Sequence, residues 1–190
     1  MKKILLASAT ILGVTLFALP SNAQQTATAT IIDNNAKELG SIEIKQAPEG
    51  ILLHVDIEGL PAGKHGFHIH EVGTCEDHSD FKMSKGHIGK GDDVQHGLMN
   101  PEGYEEGDLP NLIVSEDGTV EVELYVDDLK ITDADDMDDD EVLLDSDGAA
   151  FMIHANEDDH MTQPIGGAGD RIACGVIESV TQKPVSKPAE

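Results

Sequence analysis

The sequence predicts an all-β fold, an antiparallel sandwich or barrel, and three observations carry that prediction. Apolar and polar residues alternate in short runs, at residues 27–31, 42–45, 53–57 and 119–126. Turn-forming residues bound the runs. Glu116-Asp117-Gly118 in particular reads as the hairpin turn joining 112–114 to 119–126. No stretch after residue 24 carries a long helical stripe of apolar residues. The runs at 66–70, 151–154 and 172–177 complete the set of strands. Aromatic residues make up only 3% of the chain, so Val, Ile, Leu and Ala must build the core.

The N-terminus reads differently. Met1-Lys2-Lys3 is a basic head, residues 4–19 are apolar, and Ser21-Asn22-Ala23 is a small-x-small cleavage site. This is the pattern of a secretory signal peptide over residues 1–23, cut near Ala23, with one domain over 24–190. The other reading is a retained N-terminal helix. With no cysteine beside the cut, a lipoprotein anchor is not expected. The mature chain is then periplasmic or secreted, where disulfides persist. Its two cysteines, Cys75 and Cys174, most simply form one bond, against the alternative of two buried thiols. A bond closing so long a loop adds about 4–5 kcal/mol in the chain-entropy account.

Charge excludes some functions. The chain carries 37 acidic and 12 basic residues, for a net −25. Removing Lys2 and Lys3 with the signal leaves 37 against 10, or −27. Such a surface repels nucleic acid and anionic membranes and suits a soluble protein, or one that carries cations.

Three segments interrupt the strands. Residues 71–111 are rich in Gly, Asp and His, and residues 155–171 contain Asp158-Asp159 and Gly166-Gly167-Ala168-Gly169. Long irregular segments in a compact domain are usually functional. Residues 127–147 are strongly acidic. Asp133 and Asp135 are followed by Met137 where a calcium loop needs an acid, so this segment reads as a solvated acidic loop.

The chemistry lies in the histidines. In Gly66-Phe67-His68-Ile69-His70 the two imidazoles project from one face of a strand, a start for a metal site. Taken alone, such a pair is more often a polar sheet face. His87, His96, Asp108 and His154 follow, a density of imidazole and carboxylate that suits zinc or copper. Gly86-His87, His96-Gly97, Gly107-Asp108-Leu109-Pro110-Asn111, Ile153-His154 and Arg171-Ile172-Ala173-Cys174-Gly175-Val176-Ile177 follow in order. In this the chain resembles the exported bacterial copper–zinc superoxide dismutases, from about residue 50 to 178.

The resemblance implies an eight-stranded antiparallel Greek-key barrel with long metal-binding and electrostatic loops. It implies that superoxide becomes oxygen and hydrogen peroxide by copper redox cycling. Copper would be held by His68, His70, His87 and His154. Zinc would be held by His87, which bridges the two metals, together with His96 and Asp108. Asp158 would link a copper histidine to a zinc histidine. Arg171 would guide the anion, and Cys75–Cys174 would be the family's internal bond. The family's third zinc histidine is replaced here by Glu105, whose carboxylate can bind zinc through oxygen. His54, His65, His78 and His160 are not expected to bind metal. Lys82, Lys85 and Lys90 either add local positive charge for steering or are ordinary solvated charge. Rival readings are a copper-only dismutase and a non-catalytic periplasmic copper-binding protein on the same fold. Relatives occur as homodimers and as monomers.

Overall fold

The computed structural model describes residues 24–89, 94–132 and 141–180. The expected signal peptide, Lys90 and the centre of the acidic segment, including Asp133, Asp135 and Met137, lie outside the described residues. Eight strands follow one another. They are β1 (Thr26–Asp33), β2 (Glu38–Ala47), β3 (Gly50–Glu58), β4 (Gly63–His70), β5 (Asp108–Val114), β6 (Thr119–Asp127), β7 (Ala150–His154) and β8 (Arg171–Ser179). The only helical piece among the described residues is a 3-10 turn, Lys82–Ser84. All neighbouring pairs are antiparallel, in the order β5-β4-β7-β8-β1-β2-β3-β6. The β3–β6, β4–β7 and β8–β1 pairings are non-sequential, as in a Greek key.

Alternation decides which face each strand buries. Ala27, Ala29 and Ile31 on β1 point inward, as do Ile42 and Ile44 on β2 and Ile51, Leu53, Val55 and Ile57 on β3. Their neighbours Glu43, Asp56 and Glu58 face water. Phe67 and Phe151 stack at 5.4 Å between ring centroids, one of few aromatic contacts in an aliphatic core.

β4 and β7 break the alternation. From His65 onward every residue of β4 is buried, and all five of β7 are. Phe67, Ile69, Phe151 and Ile153 fill the barrel. The opposite face is covered by the long loops, so the histidines are sealed between barrel wall and loop. A second apolar cluster of Cys75, Phe81, Ala150, Met152 and Cys174 seats that loop on the wall. The Cys75–Cys174 bond is formed, with 5.9 Å between Cα atoms.

Three boundaries differ from the sequence reading. β5 begins at Asp108 rather than 112, because Asp108 and Leu109 pair with His68 and Phe67. β2 and β3 are longer than their apolar runs, since their ends pair from Ala47 and Gly50 outward through a tight turn. The acidic segment is not simply a solvated loop. Leu129, Ile131, Val142 and Leu143 are buried at its two ends, and Leu143 N–H donates to Lys130 O.

Candidate metal centre

Sheet register brings the polar residues together. His68 lies opposite Asp108 across β4–β5, and His154 lies opposite Arg171 across β7–β8. His70 bridges to His87 on the loop, where Ile88 N–H donates to Ile69 O and Ile69 N–H donates to Gly107 O. Two glycines permit this crowding. A Cβ on Gly107 would stand 2.3 Å from Ile69 O, and one on Gly66 would stand 2.7 Å from Ala168 Cβ.

The side chains form two clusters that share His87. In the first, donor atoms of His68, His70, His87 and His154 lie within 4.8 Å of one another. In each of these four rings one nitrogen is held. His68 Nε2 meets Asp158 Oδ2 at 2.8 Å, His70 Nδ1 meets Lys85 O at 2.9 Å, and His154 Nδ1 meets Gly169 O at 3.0 Å. His87 Nδ1 meets Asp108 Oδ1 at 3.0 Å. The other nitrogens, His68 Nδ1 and Nε2 of His70, His87 and His154, are buried without a partner. Buried polar atoms rarely stay unpaired, and four together are what a bound cation would satisfy.

The second cluster is carboxylate-rich. Asp108 Oδ1 lies 2.7 Å from His96 Nδ1, while Glu105 Oε2 lies 2.8 Å from His87 Nδ1 and 3.9 Å from His96 Nδ1. Asp108 Oδ2 accepts from Gly97 N–H at 2.7 Å and Glu105 N–H at 3.2 Å, which fixes its orientation. By proximity His68 also falls among His87, His96 and Asp108. Its Nε2 is committed to Asp158, however, and Glu105 Oε2 is a further carboxylate oxygen beside His87. Asp158 spans both clusters, reaching His96 Nε2 at 3.1 Å as well as His68.

Electrostatics differ between the two. Burial depresses the imidazoles of the first cluster, His68 to about 4 and His154 to about 3, with His70 well below the ordinary value. Burial acts on His87 and His96 too, but bonds to carboxylates outweigh it. His87 is raised, and His96 is raised to about 10. Burial also opposes ionisation of Asp108 and Asp158, yet their histidine bonds hold both carboxyls well below the usual range. His68, His70 and His154 thus present neutral nitrogen donors, whereas His87 and His96 stand against carboxylates.

All the expected site residues converge here. His65 is buried, with ring nitrogens 2.7 Å from His154 O and 2.8 Å from Pro61 O, a packing role. His54 and His78 stand apart from both clusters, and His160 braces Asn111 at 3.0 Å. Lys82 pairs with Asp80, which diminishes its use for steering, and Lys85 is exposed. Two residues were not singled out by sequence. Asn111 clamps Asp158, accepting its N–H at 2.9 Å and donating to its carbonyl at 2.8 Å. Ser84 sits fully buried between His70 and Arg171. For Asn111 its place three residues beyond Asp108 was a usable signal; for Ser84 there was none.

Residues 38–177 match the family model described as copper/zinc superoxide dismutase. A superoxide dismutase [Cu-Zn] of Caulobacter vibrioides is 41% identical over 152 residues, covering 80% of this chain and 85% of that protein. Among solved structures, a SOD-like protein from Bacillus subtilis aligns with a TM-score of 0.70 and 38% identity, over 78% of this chain and 96% of that one. A Cu/Zn superoxide dismutase from Brucella abortus aligns with a TM-score of 0.62 and 31% identity, over 80% and 99%.

Proposed function

The chain belongs to the copper/zinc superoxide dismutase family, and on that premise we propose that it is an exported dismutase converting superoxide to oxygen and hydrogen peroxide. One observation carries this reading above the rest. The bare nitrogens of His68, His70, His87 and His154 converge beside the guanidinium-bearing β8 residue that faces His154.

His68, His70, His87 and His154 would hold copper, and His87, His96, Glu105 and Asp108 would hold zinc. Bound copper would supply one-electron redox chemistry, and four imidazoles suit both of its oxidation states. His87 presents Nε2 to the first cluster and Nδ1 to the second, so it can hold a proton at Nε2 beside the reacting oxygen and release it to the reduced product. Asp108 and Glu105 raise its basicity, which favours uptake of that proton. Asp158 fixes His68 and His96 so that the two clusters keep one geometry. Arg171, the only arginine in the chain, places a fixed positive charge at the first cluster. It offsets locally a net charge that would otherwise repel the anion.

A copper store would need the imidazoles but no guanidinium opposite His154, so the non-catalytic reading is not favoured. The copper-only reading turns on Glu105, whose position against His87 supports a second cation there. Among the described residues no helix is long and apolar enough to cross a membrane, which accords with export past a cleaved signal.

Metal analysis of the mature protein beside its dismutation rate tests the proposal. Copper and zinc in equal amounts, with a rate that falls as salt is added, is the expected result. Arg171→Ala should lower both the rate and its salt slope. Copper bound with no activity would overturn the enzyme reading.

A further inference from the structure

Arg171 is half-buried, and three of the five N–H donors of its guanidinium are held by one five-residue turn. Nη1 donates to Phe81 O at 2.7 Å and to Ser84 Oγ at 3.2 Å, and Nη2 donates to Lys85 O at 2.6 Å. That turn is backbone-strained at both ends. Phe81 has φ 50° and Lys85 has φ 62° with ψ −130°, left-handed positions that non-glycine residues seldom take. The strain aims the two carbonyls inward, and the fully buried Phe81 side chain pins the turn beneath the disulfide.

The same turn holds His70. Its Nδ1 faces Lys85 O at 2.9 Å and Ser84 Oγ at 3.3 Å. Ser84 donates its own proton to Phe81 O at 2.7 Å. A hydroxyl has one proton to give and two lone pairs to receive with, and here all three are used. Protonation of His70 at Nδ1 follows from its two acceptors, which leaves Nε2 bare for the metal.

We propose that Ser84 is a positioning residue whose hydroxyl ties the Arg171 guanidinium to the His70 imidazole, keeping the anion-guiding charge in register with the copper ligands. The inference rests on the dismutase reading and adds a residue to it. Lys85 O makes a parallel tie, accepting from Nη2 and from His70 Nδ1. The hydroxyl adds the second tie, and it alone meets guanidinium, imidazole and the Phe81 carbonyl at once. Without it, the guanidinium keeps two acceptors and gains freedom to swing.

The test uses the single arginine. Phenylglyoxal modification of the metal-free protein reads Arg171 alone among arginines, whatever the metal content. Ser84→Ala should raise the modification rate about threefold to tenfold, the span of one ordinary net hydrogen bond. In the copper-loaded protein the same variant should weaken azide binding by a similar factor and flatten the salt dependence. Ser84→Cys, a weaker partner of similar size, should fall between and serves if the alanine variant does not fold. Modification rate and azide affinity both unchanged from wild type would overturn the proposal. A wild-type protein that takes up no copper would instead sink the dismutase reading and leave the modification comparison standing.

Discussion

The two clusters share His87 and are otherwise built on opposite principles. The first gathers imidazoles on β4 and β7, strands whose backs are packed into the core, and desolvation keeps those rings neutral. The second gathers two carboxylates and His96, with Glu105 and His96 on the loop between β4 and β5, and hydrogen bonding to carboxylates raises His96 despite its burial. Rigid strands and neutral nitrogens would suit a metal that cycles between two oxidation states. Carboxylates on a loop suit a hard divalent ion whose task is to hold the shared ring. On the dismutase reading, the difference teaches that redox chemistry and positioning would be separated by how each half is wired to the barrel.

The most drastic way to break the comparison is to remove one ligand from each half. His70→Ala should abolish both stoichiometric copper and dismutation, because a bare nitrogen on a strand has no nearby substitute. His96→Ala should release zinc and leave copper bound, with activity reduced. Metal analysis after dialysis against a chelator, with rates measured alongside, separates the two. Loss of copper from the His96 variant as well would show that the halves do not act independently.

Asp158 joins them, and its removal should strike both. Asp158→Asn keeps the size of the side chain but loses the charge that orients His68 and His96. Outer partners of metal ligands typically contribute about 10–100-fold in affinity. Competition titrations should therefore show copper and zinc weakened together by that range. Weakening confined to zinc would mean that strand packing alone orients His68.

Much of this could be read before the fold was known. The spacing of His68 and His70 follows from strand alternation, and Glu105 sits three residues before Asp108 on the sequence itself. The start of β5 at Asp108 was not legible, because Asp108-Leu109-Pro110 carries no apolar alternation and becomes a strand only by pairing with β4. Ser84 was invisible for a related reason. Its partners are 14 and 87 residues away, and only a buried turn with two left-handed residues brings them into reach. The buried ends of the acidic segment were masked by composition, since Leu129, Ile131, Val142 and Leu143 are scattered among aspartates.

Glu105 gives a smaller and more selective effect. Glu105→Ala removes a donor 2.8 Å from His87 Nδ1. It should weaken zinc at least about tenfold, the cost of losing even an outer partner, and spare copper. Glu105→His exchanges oxygen for nitrogen and should shift preference from manganese toward zinc. Competition between the two ions, read by mass spectrometry, checks the order. No change in either variant would remove Glu105 from the site.

The finest contrast is in the metal-free protein's stability against pH. In the first cluster the native imidazoles have depressed values, about 4 for His68 and about 3 for His154, against 6.5 when unfolded. Between those values the unfolded chain binds more protons than the native one, so stability should fall as pH drops from 6.5 toward 4. His96 has the opposite sign. Its native value is raised to about 10, so between 6.5 and 10 the native state binds the extra proton, and stability should fall as pH rises through that window. Melting temperature should therefore peak near pH 6.5 and decline on both sides. His154→Ala should flatten the acid limb and His96→Ala the alkaline one, each without the other. A curve that His96→Ala leaves unchanged above pH 7 would mean that the carboxylates do not hold that ring protonated, and the two halves would lose their electrostatic distinction.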